Sequence, residues 1–232
     1  TPTNTATFTN TPTFTATFTA TNTPTKTSTP TVTNTPTITN TPTPTNTPTI
    51  TPTPTFDYPD VTAAMQAFCR YGPGTAYLPA GDIYEGDHGI LWNRNYGGDW
   101  LWVRFDKYNH ACWIHKSTVT VDGDIFSVIP YFHPMPKSTL YGPVQKVWTD
   151  RIGDKVYIYW DEVWMTLDDD RGYLIEAVLC LNGLRYEAAF HTNTESMVLT
   201  DTQDCDQPSS GKLYAVEKHG YTDWIPIPWP EK

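Results

Sequence analysis

G-I-L-W-N-R-N-Y-G-G-D-W-L-W-V-R-F, from Gly89 to Phe105, decides the fold. Apolar and polar residues alternate on both sides of Tyr96-Gly97-Gly98-Asp99, the period of a strand with one buried face. The Gly-Gly-Asp centre marks a tight turn between two strands, 89–95 and 100–105. Working outward, further short strands are expected at 67–71 and 111–115, with turns at Gly72-Pro73-Gly74 and Glu85-Gly86-Asp87. Strands this short, joined by tight turns, favour a small barrel over residues 57–122.

The same alternation returns after a connector, 123–140, in which Pro130, Pro134 and Pro136 stand among aromatics and which is expected to pack on one or both neighbours. Over 141–232, strands are expected at 144–149, 155–160, 173–181, 186–190, 196–200, 212–217 and 224–227; Trp224 and Trp229 of the terminal stretch are expected to close the last one, with an aromatic patch as the alternative. Seven short alternating strands suggest a β-sandwich. The folded part is therefore expected to be all-β, in two modules.

The formal net charge is −10, and Lys26 is the one charged group before residue 57, so residues 57–232 carry −11. An acidic surface repels phosphate backbones and anionic headgroups, which argues against nucleic acid and direct bilayer binding. No apolar run is long enough to span a membrane, and nothing resembles a signal peptide. The chain opens in mid-repeat with Thr1, which reads as a processed product or fragment with any export signal or anchor upstream. Four cysteines permit three pairings; their division between the two modules favours Cys69 with Cys112 and Cys180 with Cys205. Small modules have thin cores, and such bridges point to an oxidising, extracellular compartment.

From Thr1 to Thr55 every odd position is Thr, while even positions rotate among Pro, Asn, Phe, Ala, Ile, Val, Lys and Ser. Residues 1–56 thus form a low-complexity segment in which N-T-P-T recurs from Asn10, Asn22, Asn34, Asn40 and Asn46. Ten prolines and a poor helix former at every other position exclude helix and predict an extended stalk. Dense Thr with Pro is the composition of mucin-like O-glycosylated stalks, with Thr11, Thr13, Thr23, Thr25, Thr35, Thr37, Thr41, Thr43, Thr47 and Thr49 as candidate sites. A bare flexible linker is the plainer alternative. Because two is also the strand period, a β-conformation would place every Thr on one face and Phe8, Phe14, Phe18, Val32, Ile38, Ile50 and the prolines on the other. Such a strip suits a filament core or a neighbour's sheet edge, although so many prolines argue against a regular ladder.

C-R-Y-G-P-G-T-A-Y (Cys69 to Tyr77), E-G-D (Glu85 to Asp87), N-R-N-Y-G-G-D-W-L-W-V (Asn93 to Val103) and C-W-I (Cys112 to Ile114) together resemble the bacterial SH3-like domain. In that family R-x-G-P-x-x-x-Y opens the barrel and G-W-V lies in the closing strand; here Ala111-Cys112 replaces the glycine. The resemblance implies binding of cell-wall peptides or glycans, or docking, with Tyr71, Tyr77, Trp92, Tyr96, Trp100 and Trp102 as candidate contacts. Core and rim packing is the other use of each of these aromatics. The second module is similar to a fibronectin type III domain through P-V-Q-K-V, V-Y-I-Y-W ending at Trp160, G-Y-L-I-E, and L-Y-A-V at Leu213 to Val216. That likeness implies Trp160 in the core and Tyr214 at a corner of the sandwich.

No H-E-x-x-H, G-x-S-x-G or Gly-rich phosphate loop is present, and Glu162, Glu176, Glu187 and Glu217 are too ordinary in an acidic chain to signal glycoside hydrolysis. A non-enzyme is expected. Asp168-Asp169-Asp170 and the cluster Asp201, Asp204 and Asp206 offer oxygens of the kind calcium prefers but lack a ligand spacing. Both are read as solvated loops, and no metal or cofactor is expected. The reading is an extracellular surface glycoprotein: a stalk bearing modules that bind cell-wall peptide or glycan. The alternative is a structural subunit of an extracellular filament, partnered by copies of itself through the Thr-x segment.

Overall fold

The computed structural model describes residues 56–167 and 170–231. The Thr-x segment with its glycosylation candidates, and Asp168 and Asp169 of the acidic run, lie outside the described residues. The described part is all-β, as the alternation requires, with antiparallel sheets throughout.

Seven strands build the first sheet: β1 (Asp60–Ala63), β2 (Ala67–Arg70), β3 (Pro79–Ile83), β4 (His88–Arg94), β5 (Trp100–Phe105), β6 (Cys112–His115) and β7 (Val119–Asp122). Their order is β3-β2-β6-β5-β4-β1-β7. The turn expected at 96–99 joins β4 to β5, and Gly98 takes φ +75 there, a conformation that glycine adopts without strain. Along β5, Leu101, Val103 and Phe105 are fully buried while Trp100, Trp102 and Arg104 face outward. The inward residues of the other strands, Val61, Cys69, Ile83, Leu91, Cys112 and Ile114 among them, belong to the same apolar cluster. The end strands β3 and β7 do not pair with each other, so the sheet is open where a closed barrel was expected. The difference comes from β1 and β7, short D-V-T-A and V-T-V-D segments that extend the ladder beyond β4. Cys69 and Cys112 bridge the neighbouring strands β2 and β6, with Cα atoms 5.5 Å apart.

The second module has two sheets. One carries β8 (Val147–Ile152), β9 (Lys155–Trp160) and β12 (Ser196–Thr200), in the order β12-β9-β8. The other carries β10 (Gly172–Leu181), β11 (Leu184–Thr192), β13 (Ser210–Glu217) and β14 (Gly220–Tyr221) in the order β11-β10-β13-β14, and β15 (Ile225–Pro226) also pairs with β13. One core joins the sheets: Val156, Ile158 and Trp160 from β9 with Tyr173, Ile175, Leu179, Leu213 and Ala215 from β10 and β13. Trp160 fills the core, and its ring meets Tyr173 edge-on at 5.2 Å. The Cys180–Cys205 bridge ties the end of β10 to the loop before β13.

Most of β10 and residues 213–217 of β13 are buried on both faces. Leu174, Tyr214, Val216 and Tyr221 form the second face, and Tyr77 and Leu78 of the first module close over them. At roughly 1.5–3 kcal/mol for each large apolar side chain removed from water, this contact outweighs a few surface hydrogen bonds. The connector binds both sides. The Tyr131 N–H donates to Arg94 O, while Tyr221 and the connector exchange bonds through Ser138 N–H to Tyr221 O and Tyr221 N–H to Pro136 O.

Candidate binding surface

The six aromatics singled out in the sequence divide into two groups. Tyr71 and Tyr77 belong to the contact between the modules. Tyr77 is buried, and its hydroxyl donates to Glu176 Oε1 at 2.8 Å. The Tyr214 hydroxyl donates to the other oxygen, Oε2, at 2.6 Å, so one carboxylate receives a tyrosine from each module. Tyr214 therefore serves the module contact, where a sandwich corner was expected. Leu78 N–H donates to the Tyr221 hydroxyl at 2.7 Å, and Arg70 Nη1 donates to Tyr77 O at 2.6 Å. Burial, then the adjacent Glu176 carboxylate, pushes the Tyr77 and Tyr214 phenols far up, so both remain donors. The loop can close this way because Gly72 has no side chain: a Cβ there would stand 2.2 Å from the Tyr77 ring.

Trp92, Tyr96, Trp100 and Trp102 lie on the first sheet away from that contact. Trp92 sits at a bulge where the β4–β5 register shifts between Leu91 and Asn93, and its side chain is exposed. Trp100 is half-buried against His115, rings 5.2 Å apart. Trp102 pairs across the ladder with Trp113 and carries His133 of the connector stacked on it, centroids 4.1 Å apart and 14° from parallel. His133 Nε2 lies 3.0 Å from Asn93 Oδ1, which fixes the ring on the sheet. Burial lowers the His133 pKa, so the imidazole is neutral at pH 7.

The ring contacts then run on. Tyr131 meets His133 edge-on at 4.7 Å, Phe132 lies 6.4 Å from Trp113, and Tyr96 lies 6.2 Å from Phe132. Tyr96 is 70% exposed and Tyr131 51%, with Phe132 close behind, so the series ends in open aromatic faces. Arg94 stacks over Phe126 at 4.5 Å and donates to Asn95 O and Tyr96 O, holding the turn that carries Tyr96. Tyr131, Phe132 and His133 are not legible as contacts in the sequence, because a Pro-flanked connector has no period from which to read a face. A second outward pair, exposed Trp148 stacked on half-buried Tyr159 at 6.0 Å with Lys146 over the indole, stands on the outer face of the β12-β9-β8 sheet. Its signal is the outward half of the V-Y-I-Y-W alternation.

The acidic clusters are not uniform. Asp201, expected in a solvated loop, is fully buried. It accepts hydrogen bonds from Ser209 Oγ, Trp229 Nε1, Cys180 N–H and Arg151 Nη2, the last at 2.6 Å. Burial acts to raise its pKa, but the bonds from Ser209, Trp229, Arg151 and Cys180 outweigh it and hold the carboxyl below the usual range. Nothing in the spacing D-T-Q-D-C-D distinguishes Asp201 from its neighbours; only the approach of four distant segments does. Cys180, Asp204 and Cys205 place their ligand atoms within 4.8 Å of one another, but both sulfurs belong to the disulfide. Among the described residues, no helix is long and apolar enough to cross a membrane.

These features define a disulfide-bridged, all-β protein with an aromatic surface on its first sheet. No protein-family model matches the chain, and a search of curated proteins found no match to it.

Proposed function

We propose that this chain is an extracellular, non-enzymatic surface glycoprotein whose first module binds a cell-wall peptide or glycan, displayed on an O-glycosylated Thr-x stalk. One observation carries the reading: ring contacts run from Trp102 and His133 to Tyr131, and from Trp113 through Phe132 to Tyr96, ending in exposed faces. Flat aromatic faces pack against the C–H faces of sugars and against peptide planes, while tyrosine hydroxyls supply polar contacts. The motif order from Cys69 to Ile114 supports a bacterial SH3-like module at 57–122. The sheet orders β12-β9-β8 and β11-β10-β13-β14, with Trp160 in the core, support a fibronectin type III-like module at 141–232. The two disulfides suit an oxidising, extracellular setting. The acidic balance makes nucleic acid and direct membrane insertion poor partners.

The test is binding of the full chain to purified cell-wall fractions and soluble glycans, with a Tyr96→Ala, Phe132→Ala double variant. Loss of two stacking faces at about 0.5–1.5 kcal/mol each is expected to weaken binding roughly tenfold or more with an unchanged melting temperature. Undiminished binding by the variant, or no binding by the unaltered chain, overturns the reading. A second reading, a subunit of an extracellular filament, is favoured by the unbroken Thr alternation.

A further inference from the structure

β11 is a long, regular sheet edge. It runs nine residues, Leu184–Thr192, and pairs on one side only, with β10. Its register with β10 is continuous over all nine pairs, without a bulge. L-R-Y-E-A-A-F-H-T contains neither Pro nor Lys, two residues that natural edge strands use to discourage pairing, and its charges are the neighbouring, oppositely charged Arg185 and Glu187. The other sheet ends are shorter: β3 and β12 have five residues, β7 four and β8 six. The core is also uncovered at β11. On the side of the strand where Ala188 and Phe190 pack on the core, Tyr186 is 39% exposed and Leu184 73%. An added strand with one apolar face would extend the core over them.

The Thr-x segment has the pattern of that strand. In any strand the N–H and C=O of alternate residues point to the same side, as alternate side chains do. All ten prolines of residues 1–55 occupy even positions, and every odd position is Thr. A strand that turns its odd residues toward an acceptor edge therefore presents a full row of Thr N–H and C=O groups. The prolines fall on the far side, where no donor is needed and where they block a further strand. The prolines are thus compatible with one ladder, though not with two. The same alternation places Phe8, Phe14, Phe18, Val32, Ile38 and Ile50 on one face, the kind of face that Leu184 and Tyr186 lack.

We propose that the Thr-x segment of one chain adds as an edge strand to β11 of a second copy. This rests on the filament reading and names its contact. A second copy is the occupant because fifty-five residues of repeat far exceed one nine-residue edge, so a single segment has length for several acceptors in series. The main-chain ladder supplies affinity, and the repeat tolerates any even-numbered register.

Position parity gives the test. In the full-length chain, purified without denaturation, one variant carries Thr7→Pro, Thr15→Pro, Thr23→Pro, Thr31→Pro, Thr39→Pro and Thr47→Pro, which leaves no nine-residue stretch of the repeat with all its odd N–H groups. Its control carries Asn4→Pro, Asn10→Pro, Asn22→Pro, Ser28→Pro, Asn34→Pro and Asn40→Pro, which keep every Thr and every apolar residue. Sedimentation velocity and electron microscopy report assembly, and hydrogen exchange reports the outward β11 amides, the alternate ones that do not bond to β10. Expected is assembly of the unaltered chain and the control, with slowed exchange across 184–192, and at least tenfold weaker association of the odd-position variant. Equal assembly of both variants, or unprotected β11 amides in the assembled state, overturns strand addition while the filament reading stands. A chain that stays monomeric at all concentrations overturns both. A monomer with protected β11 amides also overturns the second copy as the occupant.

Discussion

The substitution Asp201→Asn changes few atoms but removes the charge on which four segments converge. Arg151, on β8, is itself almost fully buried, with its Nη2 2.6 Å from Asp201 Oδ2. The substituted side chain would keep one carbonyl oxygen for Cys180 N–H and Ser209 Oγ. Its new amide group would face Arg151 Nη2 and Trp229 Nε1, donor against donor. Breaking a buried pair by removing one partner costs about 3–5 kcal/mol, mostly through the charge left behind. With a urea slope of about 2 kcal/mol/M, the unfolding midpoint is expected to fall by roughly 2 M. Urea titration at pH 7 with both disulfides intact, followed by tryptophan fluorescence, measures it. Adding Arg151→Met should recover part of the loss, because the orphaned charge is then gone. The pH dependence has a definite sign: the folded carboxyl titrates below its unfolded value of about 3.9. Its stabilisation is present above about pH 4 and is lost as the pH falls through the folded value. A cost under about 1 kcal/mol, or no recovery with Arg151→Met, would refute this account of Asp201.

Gly72→Ala should loosen the module contact, since its Cβ would meet the Tyr77 ring. A loss of about 1–3 kcal/mol is expected, with faster exchange at Leu78 N–H, which bonds to Tyr221; an unchanged midpoint and exchange rate would count against the packing described. His133 is neutral on Trp102, with a folded pKa below the unfolded value of about 6.5. Its contribution is present above about pH 6.5 and is lost as the pH falls toward the folded value, so the connector should release from Trp102 on acidification. An NMR titration placing His133 at or above about 6.5 contradicts this.

The limits of local pattern are clearest at particular residues. The alternation in W-L-W-V-R-F and V-Y-I-Y-W identifies β5 and β9 and the sides of those strands that face a core, because a strand's period of two is a property of the backbone itself. D-V-T-A and V-T-V-D alternate too, but over only four residues each, and the period does not say which strands they join. They become β1 and β7 only by pairing with each other and, for β1, with β4, so the open sheet is not legible in the sequence.

Sequence alone determined the all-β class, most strand positions, the division of the cysteines and the Thr parity of residues 1–55, all of which are local or periodic properties. Tertiary structure alone decided which aromatics are spent and which are open. Tyr77, in A-Y-L, and Trp102, in L-W-V, read alike as aromatics between apolar residues, yet one is buried on Glu176 of the other module and the other lies beneath His133 of the connector. Burial depends on what arrives from elsewhere in the chain, and Asp201, buried among four segments, is decided in the same way.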